Sequence, residues 1–232
     1  MNKSYGIICF NDKDEMLIVR RKISYAYDSI IRGKYNDIYT FLRYIRLMTE
    51  EEKNLLVSKS FQNQWRNIVP KDFFTYHRNN IVCNGCKAKL DNIKKKFKNF
   101  RISVSQIKSI LPEPEWGFPK GHINKREGYE SELSCAKREF EEETLKSETK
   151  LNFITNDPVM ERMIGKDKKV YYNKYFVAKW EGDYKIEKIP DTLEINGMKW
   201  ITKEDIDKYF IPLSEERKKI IDKAYKLYIS LK

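Results

Sequence analysis

The hexapeptide Arg138-Glu-Phe-Glu-Glu-Glu143 sets three carboxylates, Glu139, Glu142 and Glu143, at i, i+3 and i+4. On a helix these positions share one face, while Leu133, Ala136 and Phe140 lie on another and can meet a core. Three carboxylates so close repel one another and raise one another's pKa unless a cation neutralises them. A hard divalent cation with oxygen ligands, Mg²⁺ or Mn²⁺, answers that need. A glutamate run alone would also suit a solvated helix face, so the upstream residues decide. Gly117 and Gly121 flank Pro119 in Trp116-Gly-Phe-Pro-Lys-Gly121, a tight loop feeding the helix. A glycine-containing loop ahead of a helix N-terminus can cradle phosphate, which puts Lys120 and Gly121 at the phosphate and the glutamates at a metal.

The stretch from Trp116 to Leu145 resembles the signature of the Nudix hydrolase family: Gly, five residues, Glu, seven residues, Arg-Glu, an apolar residue, any residue, Glu-Glu, any residue, Gly, apolar. Gly121 and Glu127 match the first spacing, and Glu130 and Arg138 match the second. Three extra residues therefore separate the two halves, and either Glu127 or Glu130 stands as the first glutamate. Arg138, Glu139, Phe140, Glu142 and Glu143 match outright. Leu145 replaces the closing glycine, whose usual role is to let the chain leave the helix in a left-handed turn, so a helix running on past that point is expected. The resemblance implies a phosphoanhydride hydrolase on an α/β fold, a Nudix α/β/α sandwich with a mixed sheet. It also implies that Glu139, Glu142 and Glu143 bind Mg²⁺, with Mn²⁺ as the alternative, and that Arg138 holds the carboxylates in register.

Trp116-Gly-Phe-Pro-Lys-Gly121, the following Ile123-Asn-Lys125, Cys135-Ala136 and Arg138-Glu139 are together similar to the eukaryotic mRNA-decapping Nudix enzymes. Glu194-Ile195, with Trp200 downstream, resembles the segment that in those enzymes supplies a glutamate outside the box, which implies a general-base role for Glu194. The run from Arg20 to Tyr35 is similar to the same region in Nudix enzymes of poxviruses, African swine fever virus and giant viruses, which carry a helical insertion before the box. That likeness implies capped mRNA as partner, the host cytoplasm as location, and release of m⁷GDP and 5′-monophosphate RNA. Some members also act on diphosphoinositol polyphosphates, so inositol phosphates and nucleotides stay open as substrates. A catalytically idle RNA-binding module is a further alternative, against which the intact glutamate triplet speaks. A cap pocket needs aromatic faces around the methylated guanine, and Tyr25, Tyr27, Tyr171 and Tyr172 are candidates.

Positioning these residues requires a sheet and a helix. Lys3 to Phe10 and Glu15 to Arg21 read as short strands around an Asn-Asp-Lys-Asp turn, and Lys169 to Trp180 and Ile195 to Ile201 as further strands. Helices are expected over Lys203–Tyr209 and Ser214–Leu231, the latter with Ile220, Ile221, Ala224, Leu227, Tyr228 and Leu231 at a helical period. Between these parts the pattern is helical: Tyr35–Met48, a helix opened by the capping box Thr49-Glu-Glu-Glu52, Phe61–Ile68, Lys71–Arg78, Lys87–Phe100 and Ser103–Leu111. The first two strands are too short to stand alone and must join the sheet that follows the helices. The expected division is a Nudix catalytic domain of 1–22 and 113–232, interrupted by an all-helical insertion of 23–112.

Charge is concentrated in that insertion. It holds 17 Lys/Arg and 7 Asp/Glu in 90 residues, a net +10, against 29 and 27 in the other 142 residues, a net +2. A positive segment of this kind suits a long polyanion such as RNA. Lys94, Lys95, Lys96, Lys98 and Arg101 form its densest patch, with Phe97 and Phe100 as core positions of the same helix. A hydrophobic content of 41% excludes a disordered chain. No apolar run nears the roughly 20 residues that span a bilayer, and no signal peptide is visible, so a soluble intracellular protein is expected. Cys9 and Cys135 fit buried reduced thiols. Cys83 and Cys86 form a single C-x-x-C, for which zinc would need two more ligands, with His77 and the more distant His122 as candidates; Asn84-Gly85 between them favours a turn.

Overall fold

Alternation along the first strand assigns the two faces of the sheet. In β1 (Asn2–Phe10), Ile8 and Phe10 join one apolar cluster, and Tyr5, Ile7 and Cys9 join the other. The computed structural model describes residues 2–68, 78–99, 103–124, 130–164, 170–186, 188–192, 194–211 and 214–230. These form two compact units, Met1–Arg21 with Trp116–Lys232, and Lys22–Glu115. Among the described residues no helix is long and apolar enough to cross a membrane.

The first unit is built on an eight-stranded mixed sheet. β1 runs parallel to β7 (Val170–Trp180), from Asn2↔Tyr171 to Phe10↔Lys179. The other pairings are antiparallel: β2 (Met16–Arg21) with β3 (Trp116–Gly117) and β8 (Ile195–Ile201), β1 with β4 (Lys120–Gly121), and β7 with β5 (Leu151–Phe153) and β6 (Val159–Ile164). The face carrying Tyr5, Ile7, Cys9, Leu17, Val19, Phe176 and Met198 is covered by Cys135, Ala136 and Phe140 of one helix, Glu132–Thr144. The opposite face, with Ile8, Phe10, Ile18, Phe118 and Tyr175, is covered by Ile220, Ile221, Ala224 and Tyr228 of the terminal helix Glu215–Ile229. Phe10 stacks on Tyr228 at 4.5 Å, and the Tyr228 hydroxyl donates to Asn11 O at 2.7 Å. The result is an α/β/α sandwich.

In the second unit every described element is helical. α1 (Tyr25–Ile31), α2 (Ile38–Arg46), α3 (Glu50–Ser58), α4 (Phe61–Ile68) and α5 (Arg78–Asn99) share a core of Ile30, Ile31, Tyr35, Phe41, Ile45, Leu56, Trp65, Leu90, Ile93 and Phe97, among others. The Thr49 capping box is present, and its Glu52 carboxylate also accepts from Ser24 N at 2.6 Å and Ser24 Oγ at 2.7 Å. One buried carboxylate thus serves the N-termini of α1 and α3 together.

Several expectations need correction. No turn interrupts Asn84-Gly85: α5 passes straight through, held by Leu90, Ile93 and Phe97 at helical spacing. Ser103–Leu111 forms only a short 3₁₀ turn, Val104–Gln106. Its remaining backbone groups are engaged elsewhere: Lys53 Nζ donates to Ile107 O, Ser109 N donates to Glu50 Oε1 at 3.1 Å, and Ile110 N donates to Arg46 O at 3.0 Å. α1, missing from the sequence reading, is capped by Ser24, whose Oγ accepts from Tyr27 N. Of the helix expected at Lys71–Arg78 only Arg78 is described, as the first residue of α5, and residues 71–77, with His77, and the Cys83 side chain lie outside the described residues.

Candidate active site

The glycine loop is held by a gap in the sheet. β1 and β2 pair beside their turn, at Phe10↔Met16, and farther along Trp116–Gly121 fills in between them. Trp116 and Gly117 pair with Arg20 and Val19, while Lys120 and Gly121 pair with Gly6 and Tyr5. Pro119 O accepts from Ile7 N at 3.1 Å. Gly6 permits this closeness, because a Cβ there would fall 2.2 Å from Pro119 O and 2.5 Å from Lys120 Cβ. Phe118 is buried against Tyr175 and Phe210, which anchors the loop in the core.

The acidic helix, α6 (Glu132–Thr144), is fixed at both ends. Ser131 Oγ accepts from Ser134 N at 3.0 Å as the N-cap. Lys174 Nζ on β7 donates to both Glu132 oxygens, at 2.8 and 2.7 Å. The buried Cys135, Ala136 and Phe140 seat the helix on the sheet. It does not run past the box as the missing glycine suggested: it stops at Thr144, and Leu145 itself takes the left-handed conformation at φ 57° and ψ 23°. The left-handed exit is kept, and a leucine carries its strain.

Arg138 joins the loop to the carboxylates. Its Nε donates to Glu130 Oε1 at 2.8 Å, and its Nη1 donates to Glu139 Oε1 at 2.8 Å and Glu142 Oε2 at 3.1 Å. Its Nη2 donates to His122 O at 3.0 Å and Glu130 Oε2 at 3.3 Å. Glu130 Oε2 also accepts from Asn124 N at 2.7 Å, so one carboxylate pins the loop to the arginine. The Arg138 hydrogen bond is the main reason that the Glu130 carboxyl stays below its ordinary range. Glu130 therefore occupies the place facing Arg138, while Glu127 lies outside the described residues.

The Glu139 carboxylate lies directly over Gly121. A Cβ at Gly121 would fall 2.1 Å from Glu139 Cδ and 2.2 Å from both its oxygens, so no other residue type fits there without displacing the carboxylate. Burial raises the Glu139 pKa, Arg138 opposes the rise, and the charges of Glu142 and Glu194 add to it. Glu143 Oε2 accepts from Lys120 N at 3.0 Å. Burial nevertheless pushes Glu143 up to about 7 against the pull of Lys120, with Glu139 and Glu194 contributing. The charge of Glu194, exposed just ahead of β8, adds to the rise at both carboxylates.

No three acidic, imidazole or thiol groups among the described residues form a ready-made metal cage. Arg138 bridges Glu139 and Glu142, and the Lys120 amide holds Glu143. The donor set still suits a hard divalent cation: it is all oxygen, and two of its partly buried carboxylates are raised above their ordinary pKa, first by burial and further by the acidic charges around them, which a bound cation would offset. The structure brings Lys120, Gly121, Arg138, Glu139, Glu142, Glu143 and Glu194 together. Sequence reasoning missed Gly6, the Glu132–Lys174 clamp and the His122 carbonyl. Of these, only Gly6 gave a signal, as a glycine inside a strand.

The expected RNA contacts divide. Lys95, Lys96 and Lys98 are exposed on α5. Lys94 is instead half-buried, donates from Nζ to Leu56 O at 2.9 Å, and has its pKa lowered by burial. Phe97 is a core residue packed on Phe41, and Arg101 lies outside the described residues. Tyr27 is buried, with its hydroxyl donating to Gln64 Oε1 at 3.1 Å, and presents no face to a cap. Tyr25 is exposed, and Tyr171 and Tyr172 are partly buried.

A family model described as NUDIX domain matches residues 103–224. A protein of Acanthamoeba polyphaga mimivirus named "Putative mRNA-decapping protein" is 29% identical over 237 residues, covering 90% of this chain and 64% of that protein. The chain thus spans 64% of the length of that relative. Among solved structures, the binary complex of a C. elegans Ap4A hydrolase aligns with 13% identity and a TM-score of 0.48, over 100% of this chain and 97% of that one. A second structure, described as a C. elegans Ap4A hydrolase, gives 13% and 0.45, over 100% and 98%.

Proposed function

The chain belongs to the NUDIX-domain family, and on that premise we propose that it is an mRNA-decapping pyrophosphohydrolase that releases m⁷GDP and 5′-monophosphate RNA. One observation carries the hydrolytic reading: two carboxylates of one helix meet the glycine loop, Glu139 lying directly against Gly121 and Glu143 accepting from Lys120 N at 3.0 Å. Such an acidic focus beside the glycine loop repels a polyphosphate until a cation intervenes. Glu139, Glu142 and Glu143 are the residues that would hold it. When bound, Mg²⁺ or Mn²⁺ supplies neutralising charge and a polarised water.

The chain's own residues do the rest. Gly121 leaves space for the Glu139 carboxylate, and Glu130 with Arg138 keeps loop and helix in register. Glu194, exposed just ahead of β8, accepts a proton from the attacking water. The new bond joins that water's oxygen to a bridge phosphorus, the phosphoanhydride P–O bond breaks, and the leaving phosphate departs with the RNA. Support for a capped RNA comes from the name of the mimivirus relative and from the net +10 of residues 23–112, where Lys95, Lys96 and Lys98 are exposed. The test uses RNA with the label in the cap, incubated with Mg²⁺ or Mn²⁺. Labelled m⁷GDP from the wild type and none from Glu142→Gln is the expected result. Turnover of free nucleotides or diphosphoinositol polyphosphates without any m⁷GDP would replace the substrate assignment. RNA binding with no turnover of any phosphoanhydride would remove the enzyme.

A further inference from the structure

Lys199 sits in an unusual place for an ammonium group. On β8 it lies over two aromatic rings, 4.5 Å from the Trp116 centroid and 4.2 Å from that of Tyr209, and its Nζ donates to the Tyr209 hydroxyl at 3.1 Å. Trp116 and Tyr209 meet edge to face at 5.5 Å. Lys208 approaches the same tyrosine ring at 5.2 Å, and the Arg20 guanidinium lies 5.5 Å from Trp116. Neither Lys199 nor Lys208 has a carboxylate partner among the described residues.

That arrangement differs in kind from a salt bridge. A carboxylate partner would cancel the charge of Lys199, whereas aromatic faces hold the cation in place and leave its charge intact. The site is also shaped by its strand. Gly197 interrupts β8 without a side chain, where a Cβ would fall 2.9 Å from Arg20 Cβ and 3.2 Å from the Trp116 ring. Arg20 can then donate to Asn196 Oδ1 at 3.1 Å. Trp116 and Tyr209 belong to the core cluster under the terminal helix, so this positive cluster lies on the sheet face opposite the one that α6 covers. The Tyr209 phenol is pulled below its ordinary pKa, first by its hydrogen bond with Lys199, as a positive field requires.

We propose that Lys199 and Lys208, set around the Trp116–Tyr209 pair with Arg20 beside them, form an anion subsite that takes a phosphate of a polyphosphate chain without help from a metal. Placing that phosphate in the substrate of the acidic site rests on the hydrolase reading; the anion subsite itself does not.

The test is titration of the full chain with inorganic tripolyphosphate in EDTA, which removes the metal route. Lys199→Met keeps much of the apolar stem packed and loses the charge, and is expected to weaken binding about tenfold, the size of one charge-assisted hydrogen bond. Lys199→Arg should recover most of the affinity. Lys208→Met, at an exposed position that cannot unfold the chain, should give a smaller loss in the same direction. Lys223→Met removes an equal charge from the exposed face of the terminal helix and should bind like wild type. In hydrolysis, Lys199→Met should raise KM more than it lowers kcat. Wild-type affinity in both Lys199→Met and Lys208→Met, or equal loss in Lys223→Met, overturns the subsite even if the enzyme turns over. Loss in the Lys199 variant of a chain that hydrolyses nothing keeps the subsite and rejects the hydrolase.

Discussion

Glu143→Gln should stabilise the metal-free protein, by an amount that depends on pH. The wild-type carboxyl titrates near 4.5 when unfolded and is pushed up to about 7 in the fold, mainly by burial. Below pH 4.5 it is protonated in both states, and the folded protein loses nothing. Between pH 4.5 and 7 the unfolded chain gives up its proton while the folded chain keeps it, so stability falls as pH rises; above 7 the loss is complete and level. At about 1.4 kcal/mol per pH unit, this interval corresponds to about 3 kcal/mol. Glutamine retains an oxygen to accept from Lys120 N, so the substitution removes the charge and spares the hydrogen bond. Urea denaturation in EDTA at pH 4.5, 6, 7 and 8 measures the difference. Glu143→Gln should match wild type at the lowest pH and exceed it by about 3 kcal/mol at pH 8. Adding Mg²⁺ should then stabilise wild type and leave the variant nearly unchanged, because the ion replaces the missing positive charge. A difference that does not grow with pH would show that the carboxylate is not buried against its own kind. Equal stabilisation of both proteins by Mg²⁺ would remove Glu143 from the metal set.

Two further outcomes follow from strain and burial. Leu145→Gly should raise stability by about 0.5–1 kcal/mol in thermal or urea denaturation, because φ 57° costs a leucine about 1–2 kcal/mol and the exposed side chain gives little in return; a loss of stability would mean that the side chain packs in solution. Arg217→Ala should cost about 3–5 kcal/mol, since it leaves the fully buried Glu161 without the guanidinium that donates to it at 2.7 and 3.0 Å. A cost below 1 kcal/mol there would show that water or Asn173 compensates.

What the sequence disclosed depended on whether the cause was local. The spacing of Phe61 to Ile68 gave α4 with its bounds, because one periodic stripe decides it, and Ile195–Ile201 reads as a strand and forms β8. β6 left no such trace. Val159 and Glu161 are its fully covered residues, and a buried glutamate reads as a surface residue until its partners Arg217 and Asn173 are seen. β5 has three residues and exists only by pairing with β7. The Ser103–Leu111 stretch has helical spacing, but its backbone amides find partners on α2 and α3 and the Ser109 hydroxyl donates to Met48 O between them, and tertiary hydrogen bonding overrides the local preference.

The candidate site follows the same division. Glu139, Glu142 and Glu143 were legible because a helix of 3.6 residues per turn fixes their common face whatever surrounds them. Glu130 and Glu127 could not be told apart, since the choice is made by which carboxylate reaches Arg138 across the loop. The least legible feature is the one that organises the rest: the parting of β1 and β2, into which Trp116–Gly121 fits. Gly6 and Gly121 are the two places where a methyl group would break it, the first against Pro119 and the second against the Glu139 carboxylate. These glycines are needed for space and not for a turn, since neither has a left-handed backbone. The loop's distance from the acidic helix is therefore set by the absence of two side chains. Any residue larger than glycine at Gly121 must move Glu139 off the position from which it would share a cation with Glu143.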